Sequence, residues 1–218
     1  MSLAPVFFYL AALTTPQADL EYLDISLSIE RNPLGIDSVP QQLEQEELGR
    51  FLLSEAAYVL AGMIYGFEFV YQPGDADREQ PTEFEMALRG EIVPGDPRLR
   101  VREMRTDANL IHGRFFYYLE DFQRRRVIAW QSNALPSPSG IGEEPIWTGV
   151  ENRVTAIENG VRVAVRNYLR ERVYARPRQI RGTAVLAEAP RIRIVNGSYR
   201  AEVLIHLHIE ELEPYRVF

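Results

Sequence analysis

From Glu21 to Glu30 polar and apolar residues alternate, Tyr22, Asp24, Ser26 and Ser28 against Leu23, Ile25, Leu27 and Ile29. A period of two sends the two sets to opposite sides of an extended chain and predicts a half-buried strand, closed by the turn residues Asn32-Pro33-Leu34-Gly35. The next apolar stretch has a different pattern. Phe51 to Tyr65 is apolar nearly all round, interrupted chiefly by Ser54 and Glu55, and the acidic run through Glu44-Gln45-Glu46-Glu47 suits the positive end of a helix. A helix apolar on every side must be covered on every side, so it is expected either at the centre of the fold or against a partner, which makes a homodimer through the Phe51 to Tyr65 helix one expectation. Further on, Phe67 to Tyr71, Glu83 to Val93, Arg98 to Arg105, Ile111 to Phe122 and Val127 to Ser132 read as strands, separated by Gln72-Pro73-Gly74-Asp75, Pro94-Gly95-Asp96-Pro97 and Asp107-Ala108-Asn109. Phe115, Phe116, Tyr117 and Tyr118 put aromatics on both faces of one of them, which predicts cover on both sides.

Thr148 is a candidate N-cap for a helix reaching about Arg172, with Val150, Val154, Ile157, Val161, Ala164, Val165, Tyr168 and Leu169 at helical spacing along one buried face. Gln179 to Ala187, Arg191 to Val195 and Tyr199 to Glu211 follow as strands, the last two joined at Asn196-Gly197, a strong hairpin signal that also explains the glycosylation-like Asn196-Gly197-Ser198.

The second part of this pattern echoes the first. Glu55, Ala61, Tyr65, Glu68, Val70 and Tyr71 recur at an offset of 103 as Glu158, Ala164, Tyr168, Glu171, Val173 and Tyr174. Pro33-Leu34-Gly35-Ile36 returns as Pro138-Ser139-Gly140-Ile141, and Arg89-Gly90 and Pro97-Arg98-Leu99-Arg100-Val101 return as Arg181-Gly182 and Pro190-Arg191-Ile192-Arg193-Ile194. Three blocks in one order argue for duplication. The expected fold is α+β: two pseudo-symmetric β-α-β-β type repeats forming an antiparallel sheet with two main helices packed on it. Residues 1–20 are an N-terminal strand or extension, 21–122 repeat 1 and 123–218 repeat 2, fused into one compact body. The arrangement is similar to the small α/β modules of bacterial envelope assembly lipoproteins, a likeness of architecture alone.

Composition narrows the chemistry. Of the 218 residues 46% are hydrophobic and 25% charged, enough for a substantial core. There is no cysteine, and all 24 basic residues are arginine, as a GC-rich genome would give. Cysteine nucleophiles, thiolate metal sites, Schiff bases and a P-loop lysine are therefore excluded. A formal charge of −7 argues against a nucleic-acid partner bound by bulk electrostatics. Residues 1–13 are apolar but too short to span a bilayer and lack a basic leader, so they read as a buried strand and no transmembrane segment is expected. Localisation is periplasm or cell envelope if an export signal was trimmed before Met1-Ser2-Leu3, and cytoplasmic otherwise.

Two constellations can carry chemistry. His206, His208 and Glu210 stand two apart on one strand and so share a face, a ligand set that a zinc-type hydrolase could use, set against the ordinary reading of a polar outer face. His112 has no partner at a justifiable spacing. Arg98, Arg100 and Arg102 alternate with Leu99 and Val101, and Arg191 and Arg193 with Ile192 and Ile194. Such ladders either pair with glutamates across strands and guard sheet edges, or present guanidinium forks to an anionic ligand, with Arg98, Arg100, Arg191 and Arg193 as the candidate ligand-binding set. Arg124-Arg125-Arg126 is expected to cap a strand. No glycine-rich phosphate loop, nucleophile elbow or HExxH motif occurs, so no cofactor is implied and an enzyme is the lesser expectation. The leading reading is a non-enzymatic binding or assembly protein acting through its sheet surface or first helix on an unknown protein. The alternatives are an anionic small-ligand binder at the cleft between repeats and the metal-dependent hydrolase.

Overall fold

The computed structural model describes residues 20–32, 45–74, 81–93, 95–132, 134–172 and 177–214. The expected N-terminal strand, the Pro33 to Ile36 block, the Val173 and Tyr174 end of the repeat and the Asp75 to Gln80 stretch lie outside them.

Alternation along Tyr22–Glu30 gives strand β1, with Leu23, Ile25, Leu27 and Ile29 buried. Helix α1, Gln45–Ile64, opens on Glu46 and Glu47 and leads through Gly66, in the left-handed region at φ 73°, into β2, Phe67–Gln72. Strands β3 (Glu83–Leu88), β4 (Leu99–Asp107) and β5 (Leu110–Tyr118) follow. Then come α2 (Asp121–Trp130), β6 (Ser139–Pro145), a 3-10 turn at Ile146–Thr148, α3 (Asn152–Arg172), β7 (Gln179–Leu186), β8 (Arg191–Val195) and β9 (Ser198–Glu213).

All pairing is antiparallel and falls into two sheets, one ordered β1-β5-β4 and the other β3-β2-β7-β9-β6, with β8 also paired to β9. Among the described residues the fold is α+β, with antiparallel sheets and three helices. The β4–β5 and β8–β9 hairpins close at Ala108-Asn109 and Asn196-Gly197, where Ala108, Asn196 and Gly197 have φ of 46°, 50° and 75°.

Three expectations need correction. Val127 to Ser132 is not a strand: Asp121–Trp130 is helical, started by Glu120, whose backbone N–H donates to Gln123 Oε1 at 2.9 Å. Arg124-Arg125-Arg126 therefore lies inside α2 and caps no strand. In the N-terminal part of α3, the expected start at Thr148 is taken by the 3-10 turn, and the helix begins at Asn152.

Helix α1 is apolar all round because it meets strands of both sheets, packing on β1 and β5 and also on β7. From Glu55 to Ile64 only Tyr58 and Met63 escape full burial. From Glu55 onward the apolar surface that motivated a dimer through this helix is largely taken up within the chain, while Phe51 and Leu53 stay half-buried. Helix α3 approaches β6 more closely than side chains permit: a Cβ on Gly142 would stand 2.0 Å from Ala156 O, and one on Gly140 2.2 Å from Gly160 O. The buried residues form one continuous core cluster that draws on both sheets and all three helices.

Candidate binding surface

The residues singled out from sequence are dispersed, and most are already engaged. Arg98 donates to Asp96 Oδ2 at 2.7 Å, reaches Glu120 as well, and lies over the Tyr117 ring at 5.2 Å. Its hydrogen bonds hold the Asp96 carboxyl down at about 2. Arg193 pairs with Glu202, and Arg191 stands opposite the same glutamate in register on β8. Arg100, on β4 in the other sheet, has no ion pair among the described residues. The four arginines thus occupy two different sheet edges, and none of the described cavities brings Arg100 and Arg193 together.

The histidine ladder shares one face of β9, as its spacing requires, but each member has its own neighbour. His206 Nδ1 is 3.0 Å from Ser137 Oγ, and burial pushes its pKa below the ordinary value. His208 meets Trp130 edge-on at 6.5 Å. Glu210 accepts from Thr183 Oγ1 at 2.6 Å, which itself accepts from Arg89 at 2.9 Å. Among the described residues no three His, Cys, Asp or Glu side chains converge to hold a metal ion.

What pairing does assemble is the outer face of the β1-β5-β4 sheet. The register sets Tyr22 opposite Tyr118, Asp24 opposite Phe116, Ser26 opposite Arg114 and Ser28 opposite His112. Across β5, Arg100 stands opposite Phe116, Glu103 opposite Arg114 and Arg105 opposite His112, with a register shift between Val101 and Glu103. Phe116 is the hub of this face. The Arg102 and Arg114 guanidinium groups lie 5.1 and 5.3 Å from its ring centre and Tyr22 packs at 5.1 Å, so it is only 6% exposed. The cover expected over both faces of the aromatic strand is thus, on this side, the sheet's own side chains, and Tyr118 stays 50% exposed.

Arg114 is held by Asp24, whereas Arg100 and Arg105 have no ion pair among the described residues. Strand β4 closes the sheet with every residue from Arg100 to Asp107 exposed. On its other face Val101 and Met104, 46% and 41% exposed, line an apolar groove with Leu53 and Ile111. Two open depressions mark the outer face, one lined by Ser26, Ser28, Glu103, Arg105, His112 and Arg114, the other by Tyr22, Arg100, Arg102, Phe116 and Tyr118. No hydrogen bond joins Ser28 to His112, so the first is a polar hollow with no assembled nucleophile.

Sequence reading also missed a buried charge. Arg153, 1% exposed on α3, donates from Nε and one terminal nitrogen to Glu55 on α1 at 2.7 and 3.0 Å, and to the Ser28 carbonyl of β1 at 2.7 Å. Arg153 stands three after Val150 and four before Ile157, on the buried stripe itself, where its charge reads only as a break in that face. The one clue was Glu55 in an otherwise apolar helix, a carboxylate that burial obliges to find a partner.

No solved structure matches the chain. An uncharacterized protein of Treponema pallidum (strain Nichols) is 24% identical over 162 residues, covering 74% of this chain and 68% of that protein, a similarity that supports a bacterial origin. A protein-family model whose description names no activity matches residues 11–215, nearly the whole chain, and this protein belongs to that family.

Proposed function

We propose that this is a non-enzymatic binding or assembly protein whose contact surface is the outer face of the β1-β5-β4 sheet together with the open edge of β4. The observation that carries the reading is that Arg100 and Arg105 stand exposed on an edge strand, Arg100 beside Tyr22 and Tyr118, with no ion pair among the described residues, in a chain of net charge −7. Guanidinium groups next to exposed aromatic rings suit a partner that offers carboxylates and some apolar contact, because charge complementarity steers the encounter and aromatic area supplies the adhesion. Of the alternatives, an anionic small ligand held by Arg98, Arg100, Arg191 and Arg193 has less support, since Arg98 and Arg193 already hold carboxylates.

The same reading includes an origin by duplication. Its support is strand order: β1-β5-β4 and β6-β9-β8 are each a first strand, a last strand and a penultimate strand, all antiparallel, with one long helix after the first. The repeated block of residues supports it less, for Glu68 lies in β2 while Glu171 ends α3.

Titration of a fluorescent oligoglutamate peptide at low salt tests the function. Saturable binding, weakened roughly tenfold by Arg100→Glu with Arg105→Glu and unchanged by Arg191→Glu, is expected. Failure of the unaltered protein to bind would overturn it.

A further inference from the structure

Two of the sheet edges are complementary to each other. Strand β3 ends the larger sheet, pairing among the described strands only with β2, and β4 ends the smaller one, pairing only with β5. In β3, Glu83 and Glu85 are exposed, while the alternate residues Phe84, Met86 and Leu88 are half-buried against the core. In β4 arginine predominates: Arg100, Arg102 and Arg105, with the single Glu103 among them, lie on the outer face and Val101 and Met104 on the inner. Edge charges ordinarily prevent a strand from pairing with its own kind. Here they do so only for like edges, β4 with β4 or β3 with β3. Set beside each other in one continued sheet, β3 and β4 would bring glutamates next to arginines on one face, and Phe84 and Met86 next to the exposed Val101 and Met104 on the other.

We propose that β4 of one copy receives β3 of a second copy, so that the chain self-assembles by edge-to-edge strand addition. Main-chain hydrogen bonds supply the adhesion and the two faces supply register. The contact joins two different surfaces, so it is heterologous and leaves a free β3 and a free β4 at the ends of any chain of subunits, which allows open-ended growth. It rests on the reading of β4 as a contact surface and names the occupant.

Sedimentation velocity over a concentration series at low salt tests it, with three preparations: the unaltered protein, Arg100→Glu/Arg102→Glu, and Glu83→Arg/Glu85→Arg. The unaltered protein should form a ladder of species that lengthens with concentration and shortens with added salt. Each variant alone should stay monomeric, since one of its two edges is reversed. An equimolar mixture should recover the ladder, because the intact β3 of the first variant fits the intact β4 of the second, and the glutamate-bearing β4 of the first equally complements the arginine-bearing β3 of the second. Recovered assembly in the mixture also shows that both variants are folded.

A monomer at all concentrations of the unaltered protein, equal association by the variants, or no complex in the mixture would each overturn the proposal. Should that happen while oligoglutamate still binds at Arg100, the surface stands and only its occupant is wrong; should oligoglutamate also fail, the surface itself is wrong.

Discussion

Arg153 on α3 and Glu55 on α1, 98 positions apart, are joined by two hydrogen bonds inside the core. The same guanidinium also reaches the Ser28 carbonyl on β1, stands 3.6 Å from Glu30 and lies over the Tyr199 ring at 5.6 Å. Burial works against its charge, yet the Glu55 carboxylate, with Glu30 behind it, holds its pKa above the ordinary arginine value. One side chain thus ties α3, α1 and β1 into a single arrangement.

Removing one member of such a pair leaves the other charge buried alone. Arg153→Ala should lower unfolding stability by about 3–5 kcal/mol, whereas Glu55→Leu combined with Arg153→Met should recover most of the loss, since two apolar side chains of similar volume need no compensation. Urea denaturation of the three proteins checks this. Equal losses in the single and double variants would show that the pair itself, and not the orphaned charge, sets the cost.

Asp96 gives the chain an acid-sensitive joint. Its folded pKa, about 2, lies below the ordinary 3.8 because Arg98 donates to it. The unfolded chain therefore takes up that proton first as acid is added. The stabilisation is complete above the ordinary value and is lost as pH falls through the folded one, a contribution of about 2 kcal/mol. Asp96→Asn should flatten the acid limb of the stability profile in that window, read from thermal melts at successive pH values. An unchanged limb would contradict the role given to Arg98.

Close approach of α3 to β6 makes Gly142 intolerant of any side chain. Gly142→Ala should cost about 1–3 kcal/mol or more, because the clash is with the backbone of Ala156 and Gly160 and cannot be relieved by a rotamer change. A melting temperature equal to that of the unaltered protein would show that the strand and helix separate freely.

Legibility of the fold follows how local each signal is. β1 was readable because its alternation is unbroken and one face is buried, and the β8–β9 hairpin because Asn196-Gly197 supplies the positive φ values the turn demands. Helix α2 was not, because its apolar residues are few and its start depends on Glu120 and Gln123 meeting across a turn. Gln123 is moreover buried against the Tyr65 and Tyr117 hydroxyls, a polar side chain serving as core. The face proposed for binding was half legible. The polar side of β1 and the arginines of β4 could each be seen in the chain, but their juxtaposition around Phe116 is made by the pairing of β1 and β4 to β5, which spacing along the chain does not encode.

The partners taken by His206, His208 and Glu210 lead to a simple expectation for metals. Zinc added to the protein should leave its melting temperature unchanged. A specific site filled at 100 times its dissociation constant would add about 2.7 kcal/mol, and a shift of that size would reinstate the ladder as a metal site.

Residue-resolved chemical-shift mapping with unlabelled oligoglutamate reads the outer face of the β1-β5-β4 sheet directly. Resonances of Tyr22, Arg100, Arg102, Phe116 and Tyr118 should move first and saturate together, with β8 and the β9 histidines still. Shifts gathered at Arg191 and Arg193, or absent throughout, would contradict the proposed contact surface.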